Sequence, residues 1–291
     1  LIAGHSSMPR LLAPLLFVFL WSSAFIAVRA GMPDTTPLFY LAARFAIATA
    51  ALLLIVAIAR QDWASIRGLW GHLAVAGVLM GALYLSAAYL AMQHINAATM
   101  ALIGALHPLA TAVLARPLLG ERLARMQWLG IGLGIAGVAL VVGLEAERPD
   151  NAAAALIAVG GVLCLALGTI HYRKYCRSAG LLMANTVQLA AATAVCAVLV
   201  VAFEPVHVRW SPVMVGSLFY LALVVSLGAM ALLMFMLRSG TAGKVASNFY
   251  LTPGLTAILG WLILGETLAG MAVAGFALAC VGVWLAQREA R

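Results

Sequence analysis

Arg44, in Ala43-Arg44-Phe45, is the one permanently charged side chain inside a long apolar run. It lies about nine residues, or roughly 14 Å at 1.5 Å per residue, from the outer end of its run. That is too deep for easy snorkelling, so Arg44 must face the interior of a bundle or a watery cavity. Two chemistries suit it. It can bond carbonyls or helix ends of its neighbours and so act as a structural or gating element, which is the preferred reading. It can also attract a substrate carboxylate.

The nine acidic residues are Asp34, Asp62, Glu121, Glu145, Glu147, Asp150, Glu204, Glu266 and Glu289, and all fall in loops or at helix ends. Buried carboxylates are the usual proton relays and counter-ions for cations. Their absence from the runs argues against a cation-drug antiporter built on a membrane Glu. It argues equally against a membrane hydrolase using paired carboxylates or a metal. Glu121 and Glu266 are expected to accept bonds near the starts of helices 5 and 10. The four cysteines, Cys164, Cys176, Cys196 and Cys280, form no CxxC or Cys/His spacing, so neither a disulfide framework nor a metal site is expected. No GxxxxGK[ST] loop is present for ATP. The chain is therefore read as a non-enzyme without cofactors.

Two histidines, His107 in mid-run and His171 near a run's end, can titrate near neutrality. Pro108 and Pro253 fall inside runs. A proline there removes a backbone bond and frees the carbonyl four residues earlier, here Gly104 and Phe249. Free carbonyls at membrane depth are tolerated where they are buried or line a cavity. Arg44, Pro108, His171 and Pro253 are therefore grouped as gating or structural. Residues at similar depth that suit a binding cavity are Trp21, Ser22, Met80, Tyr84, Met100, His107, Gln188, Asn248, Phe249 and Tyr250. Amides, hydroxyls, Trp and Met together suit a small zwitterionic or amphipathic solute.

These groups need apolar elements to hold them at depth, and the composition supplies such elements. Hydrophobic residues make up 65% of the 291 and charged residues 9%, with a mean hydropathy of +1.08. A soluble domain is about 45–50% apolar and about 25% charged. A soluble globule still needs a polar skin, so a soluble enzyme and a nucleic-acid-binding domain are excluded. The chain is an integral membrane protein in contact with lipid.

Runs near 11–30, 35–59, 69–92, 96–116, 124–144, 152–172, 180–203, 211–237, 241–264 and 268–287 give ten membrane helices. Residues 1–8 are read as a tail left over from expression. Alternate loops sort the basic residues. One side holds Arg10, Arg60, Arg67, Arg116, Arg122, Arg125, Arg173, Lys174, Arg177, Arg238, Lys244, Arg288 and Arg291; the other holds Arg29, Arg148 and Arg209. That bias, and not nucleic-acid binding, accounts for the net charge of +8 and puts both termini in the cytoplasm.

The sequence also matches itself at an offset of 145. Pro108, Leu119-Gly120-Glu121, Leu123, Gly130 and Gly137 recur as Pro253, Leu264-Gly265-Glu266, Leu268, Gly275 and Gly282. Each half, 9–145 and 146–291, then holds five helices. Five is odd, so the second copy enters the membrane from the opposite side. The fold class is all-α, with ten transmembrane helices in two inverted-topology repeats, the architecture of secondary transporters. Gly77-xxx-Gly81 and Gly130-xxx-Gly134 allow close helix approach, chiefly within the chain, with a homodimer seam as the alternative.

Trp21-Ser22-Ser23-Ala24-Phe25, Ala43-Arg44-Phe45 and the two Pro…Leu-Gly-Glu segments resemble the EamA-type drug/metabolite transporters over nearly the whole length. The resemblance implies an exporter of amino acids or other metabolites in the bacterial inner membrane, whose partners are a small-molecule substrate and lipid. Other cargoes in the same fold are drugs, nucleotide sugars or phosphate esters. A phosphate carrier would place several Lys or Arg in its cavity. A membrane enzyme on lipid-linked substrates would need a cluster of acids or metal ligands, and none is found.

Overall fold

The computed structural model describes residues 8–120, 124–145, 149–229, 232, 251–266 and 270–286. Ten apolar helices lie among them: α1 Met8–Gly31, α2 Pro37–Ile58, α3 Trp63–Ala91, α4 Ala97–Leu119, α5 Arg125–Glu145, α6 Pro149–Tyr175, α7 Leu181–Phe203, α8 Pro212–Ala229, α9 Leu251–Leu264 and α10 Gly270–Ala286. Eight are long enough to cross a bilayer, while the described parts of α9 and α10 are shorter. Outward-facing side chains such as Val201, 89% exposed, and Ile58, 73% exposed, are large and apolar. Such a surface is incompatible with water and matches lipid.

Local chemistry sets the helix starts and stops. Pro37 and Pro212 occupy first-turn positions, where a missing N–H is harmless. The Asn96 side chain caps α4 through the Thr99 amide at 2.7 Å, and Ser211 caps α8 through the Met214 amide at 3.1 Å. α3 starts earlier than the run at 69 implies. Asp62 accepts from the Ala64 amide, and a 3-10 segment, Trp63–Leu69, leads into the helix. Gly120 and Gly265 end α4 and α9 in the left-handed region, at φ 72° and 67°. They are partners at the 145-residue offset, so both repeats stop the same helix with the same residue type.

The packing obeys the same offset. α6 lies on α3 and α4, while α1 lies on α8 and α9. α3 also meets α7, as α8 meets α2. Three pairs are their own mates under the shift: α2 with α7, α4 with α9, and α5 with α10. Two units related by a two-fold axis in the membrane plane produce this pattern. Glycines allow the closest contacts. A methyl added at Gly137 would sit 2.5 Å from the Ala279 amide nitrogen, and one at Gly282 would sit 2.3 Å from that of Gly134. Gly77 and Gly81 abut Gln188 and Ala192 of α7 in the same way. Both glycine pairs are thus used inside the chain.

Candidate functional site

α2 begins at Pro37, so Arg44 lies seven residues, or about 10 Å, inside the helix, shallower than the sequence suggests. Its side chain is buried, with 7% of the residue exposed. Nε donates to Ser226 Oγ at 3.1 Å and Nη1 donates to Tyr89 Oη at 3.0 Å. Ser226 Oγ gives its own proton to the Leu221 carbonyl at 2.9 Å, leaving a lone pair for Arg44. Arg44 therefore ties α2 to α3 and α8 through hydroxyls, not through the carbonyls or helix ends expected from sequence. Tyr40 adds a second tie. Its hydroxyl pairs with Ser217 Oγ at 2.6 Å, and its ring lies 5.8 Å from that of Tyr89.

Two of the helices that hold these hydroxyls, α3 and α8, depart in part from α-helix geometry. Val78–Leu83 of α3 and Tyr220–Ala229 of α8 are wound as π-helix. The 145-residue shift places residues 78–83 on 223–228, so the wide turns occupy corresponding places in the two repeats. Such turns are uncommon and concentrate at functional sites. Met80 sits in the first and packs against Gly168 of α6. Tyr84 follows it and is buried.

α4 is broken, not merely kinked. The helix runs from Ala97 to Gly104, turns through Ala105 and Leu106, and resumes as His107–Leu119. The turn tightens to three-residue spacing, with the Leu106 amide on the Ile103 carbonyl at 3.0 Å. Pro108 lies at the start of the second piece, where it removes no needed bond. His107 Nε2 lies 3.0 Å from Thr169 Oγ1, whose proton goes to the Leu165 carbonyl at 2.8 Å. Thr169 must then accept, so Nε2 carries a proton and the neutral ring leaves Nδ1 as an acceptor.

In α9, Pro253 is buried one residue after Thr252, whose carbonyl accepts from Ser22 Oγ of α1 at 3.2 Å. Thr111 and Thr256 are mates at the 145 offset and follow their prolines by the same interval. Both hydroxyls, and that of Thr252, are buried without a hydrogen-bond partner among the described residues. Thr169, Thr186 and Thr193 instead bond the carbonyl four residues back. For Thr256 that carbonyl belongs to Thr252, which already takes Ser22. Buried hydroxyls without partners are costly unless water or a ligand completes them.

Of the other sequence candidates, Trp21 is half-buried with its ring 5.5 Å from Phe17, and Met100 is fully buried. Gln188 donates to the Ala184 carbonyl of its own helix at 3.2 Å. Asn248, Phe249, Tyr250 and Glu121 lie outside the described residues. His171 pairs with His72, which the sequence reading passed over. Their ring nitrogens are 3.3 Å apart, and the His72 ring stacks on Tyr175 at 4.4 Å. Tyr40, Ser217 and Ser226 were also passed over, because isolated hydroxyls in apolar runs carry no spacing signal. Thr111 and Thr256 could have been found, since they are identical at the 145 offset. Among the described residues no group of three or more metal-ligating side chains occurs.

The charge-poor end is laced together across the repeats. The Asp34 carboxylate takes Arg209 and Ser211, and the Glu204 carboxylate takes the Leu38 and Phe39 amides at 2.9 and 2.7 Å. Glu266 accepts from the Ala97 amide at 3.1 Å and from Arg29 Nε at 3.3 Å. Among the described residues it therefore serves the start of α4 and Arg29 of α1, not the start of helix 10. A recess of about 370 Å³, lined by Arg29, Met32, Pro33, Gln93, Leu264 and Glu266, opens beside it.

Known proteins share this plan. The chain is 23% identical to the uncharacterized transporter YvbV of Bacillus subtilis over 98% of this chain and 94% of that one. It is 25% identical to the uncharacterized inner membrane transporter YedA of Escherichia coli K12, over 86% and 81%. A WAT1-related chloroplast protein of Arabidopsis thaliana is 25% identical over 92% of this chain and 66% of that one. A solved crystal structure superposes with a TM-score of 0.66 at 20% identity, covering 97% of this chain and 98% of that one. The EamA-like transporter family profile matches twice, at residues 8–143 and 152–287. With two such repeats in ten apolar helices, the chain is a membrane transporter belonging to the EamA-like transporter family.

Proposed function

We propose that this transporter exports small amphipathic metabolites, amino acids with aromatic and apolar side chains among them, by alternating access around a central cavity. The observation that carries the reading is the meeting of α4 and α9. Both hold a proline and, three residues later, a buried threonine hydroxyl without a partner among the described residues. α4 is interrupted beside its proline, and discontinuous helices near a two-fold axis are where secondary transporters bind substrate. The surrounding groups are hydroxyls, an imidazole, Trp and Met, with a single cation, which suits a zwitterion better than a phosphate ester. No catalytic role is assigned. The basic residues support a bacterial inner-membrane protein with both termini in the cytoplasm. The use of both glycine pairs within the chain favours a monomer as the transport unit over a homodimer.

The test is uptake into proteoliposomes of a panel of amino acids, phosphate esters and quaternary amines, with and without a pH gradient. Amino acids should exchange across the membrane. Movement of phosphate esters or quaternary amines with no amino acid would overturn the cargo. Movement of none would overturn the transport of metabolites altogether.

A further inference from the structure

Arg44 is a buried cation with no counter-ion among the described residues. The three helices that touch it, α2, α3 and α8, contain no Asp or Glu, and neither do α4, α7 and α9. Among the described residues its bonds go only to the neutral hydroxyls of Tyr89 and Ser226. A guanidinium has five N–H donors in a planar fork that matches a carboxylate. Two are used, and the remaining three meet no acceptor among the described residues. The Tyr84 hydroxyl, on the helix that carries Tyr89 and likewise buried, bonds to none of the described residues either. Removing a cation from water costs several kcal/mol unless an opposite charge compensates. Arginine cannot escape that cost by losing its proton.

We infer that Arg44 is the anion subsite of this transporter, where its free N–H groups receive the carboxylate of the cargo with the Tyr84 hydroxyl as a further donor. Tyr89 and Ser226 are positioning residues: by taking Nη1 and Nε they hold the fork in place and leave its other N–H groups for the cargo. The inference rests on the transport reading above and narrows its cargo. A carboxylate is required and an ammonium is not, since no carboxylate on these helices is available to receive one.

The test measures binding and needs no transport. Thermal unfolding midpoints of the full chain in detergent are recorded with 3-phenylpropionate, L-phenylalanine or phenethylamine. The two carboxylates should raise the wild-type midpoint and the amine should not. Arg44→Gln should require about tenfold more carboxylate for the same shift. Arg44→Lys, which keeps the charge and loses the fork, should fall between. Should Arg44→Gln fail to fold, Arg44→Lys and Tyr84→Phe carry the comparison, and both must weaken carboxylate binding. Stabilisation by the amine as strong as by the carboxylates, no carboxylate effect on the wild type, or unchanged affinity in the variants overturns the inference. The liposome panel decides transport separately. A chain that binds carboxylates without moving amino acids would keep this subsite and lose the transport reading.

Discussion

The Glu266 carboxylate lies 3.1 Å from the Ala97 amide, so the end of a second-repeat helix caps the first turn of its first-repeat mate. The same carboxylate holds Arg29, which donates to the Met92 carbonyl at 2.6 Å. Four chain segments are thereby joined through two side chains, Glu266 and Arg29. Glu266→Ala should lower stability by about 1–2 kcal/mol, the usual cost of a lost cap. Glu266→Gln, which keeps an acceptor, should cost less. A double-mutant cycle with Arg29→Gln, read by unfolding in detergent, should show coupling of roughly 0.5–1 kcal/mol. Strictly additive losses would mean the two residues act independently.

The α5–α10 seam makes a sharper prediction, because both outcomes lie on one helix. Gly137→Ala places a methyl against backbone atoms of α10 at 2.5 and 2.6 Å, which cannot move aside as a side chain can. A loss of about 1–3 kcal/mol is expected. Gly132→Ala meets nothing within 4 Å. It should be neutral, or stabilising by up to about 1 kcal/mol through helix propensity. Similar melting shifts for the two variants would contradict the packing described.

The hydrogen bonding of Thr169 sets the tautomer of His107. Nitrogen-15 NMR of histidine-labelled protein should find the proton on Nε2, and Thr169→Val should erase that preference. His107→Gln, whose amide nitrogen can stand in for Nε2, should retain most of the stability. His107→Ala should lose about 1 kcal/mol or more, the worth of a hydrogen bond and its packing. A proton found on Nδ1 would reverse the donor assignment at this contact.

Cys176 follows α6 and is fully buried among Val56, Ile66, Leu73 and Met183. Burial limits access and pushes its thiol above the ordinary range. A raised value leaves less thiolate at neutral pH, and only the thiolate reacts. Maleimide labelling of Cys176 in the folded protein should be slow at pH 7 and should accelerate at a more alkaline pH than a free cysteine requires. Rapid labelling at neutral pH would show that this end of the bundle opens in solution.

The features that were legible in the sequence were those written in spacing. Apolar runs placed the helices, because lipid demands continuous length. Prolines, Leu-Gly-Glu segments and glycines separated by a constant 145 residues exposed the repeat, and Gly120 and Gly265 proved to share a backbone conformation as well. The wide turns of α3 and α8 were not legible, since a π turn depends on packing against neighbours rather than on any residue type in Val78–Leu83. Contacts between distant positions were hidden too. Nothing near His171 points to His72, 99 residues earlier, and nothing near Arg44 names Ser226. Glu266 was placed at the correct end of its helix but given the wrong partner, because sequence adjacency suggested the helix that follows rather than the one alongside.

The α5–α10 contact has a further implication. Each helix occupies the fifth place in its repeat, and Gly137 and Gly282, mates under the shift, both lie in the joint. The joint is therefore one surface meeting itself, which is the defining property of an isologous dimer interface. A gene encoding a single five-helix unit would have carried this surface already self-complementary. It needed only to insert into the bilayer in both senses for two products to associate. Fusion of two such genes would then have recorded, in one polypeptide, an assembly that had existed between separate chains.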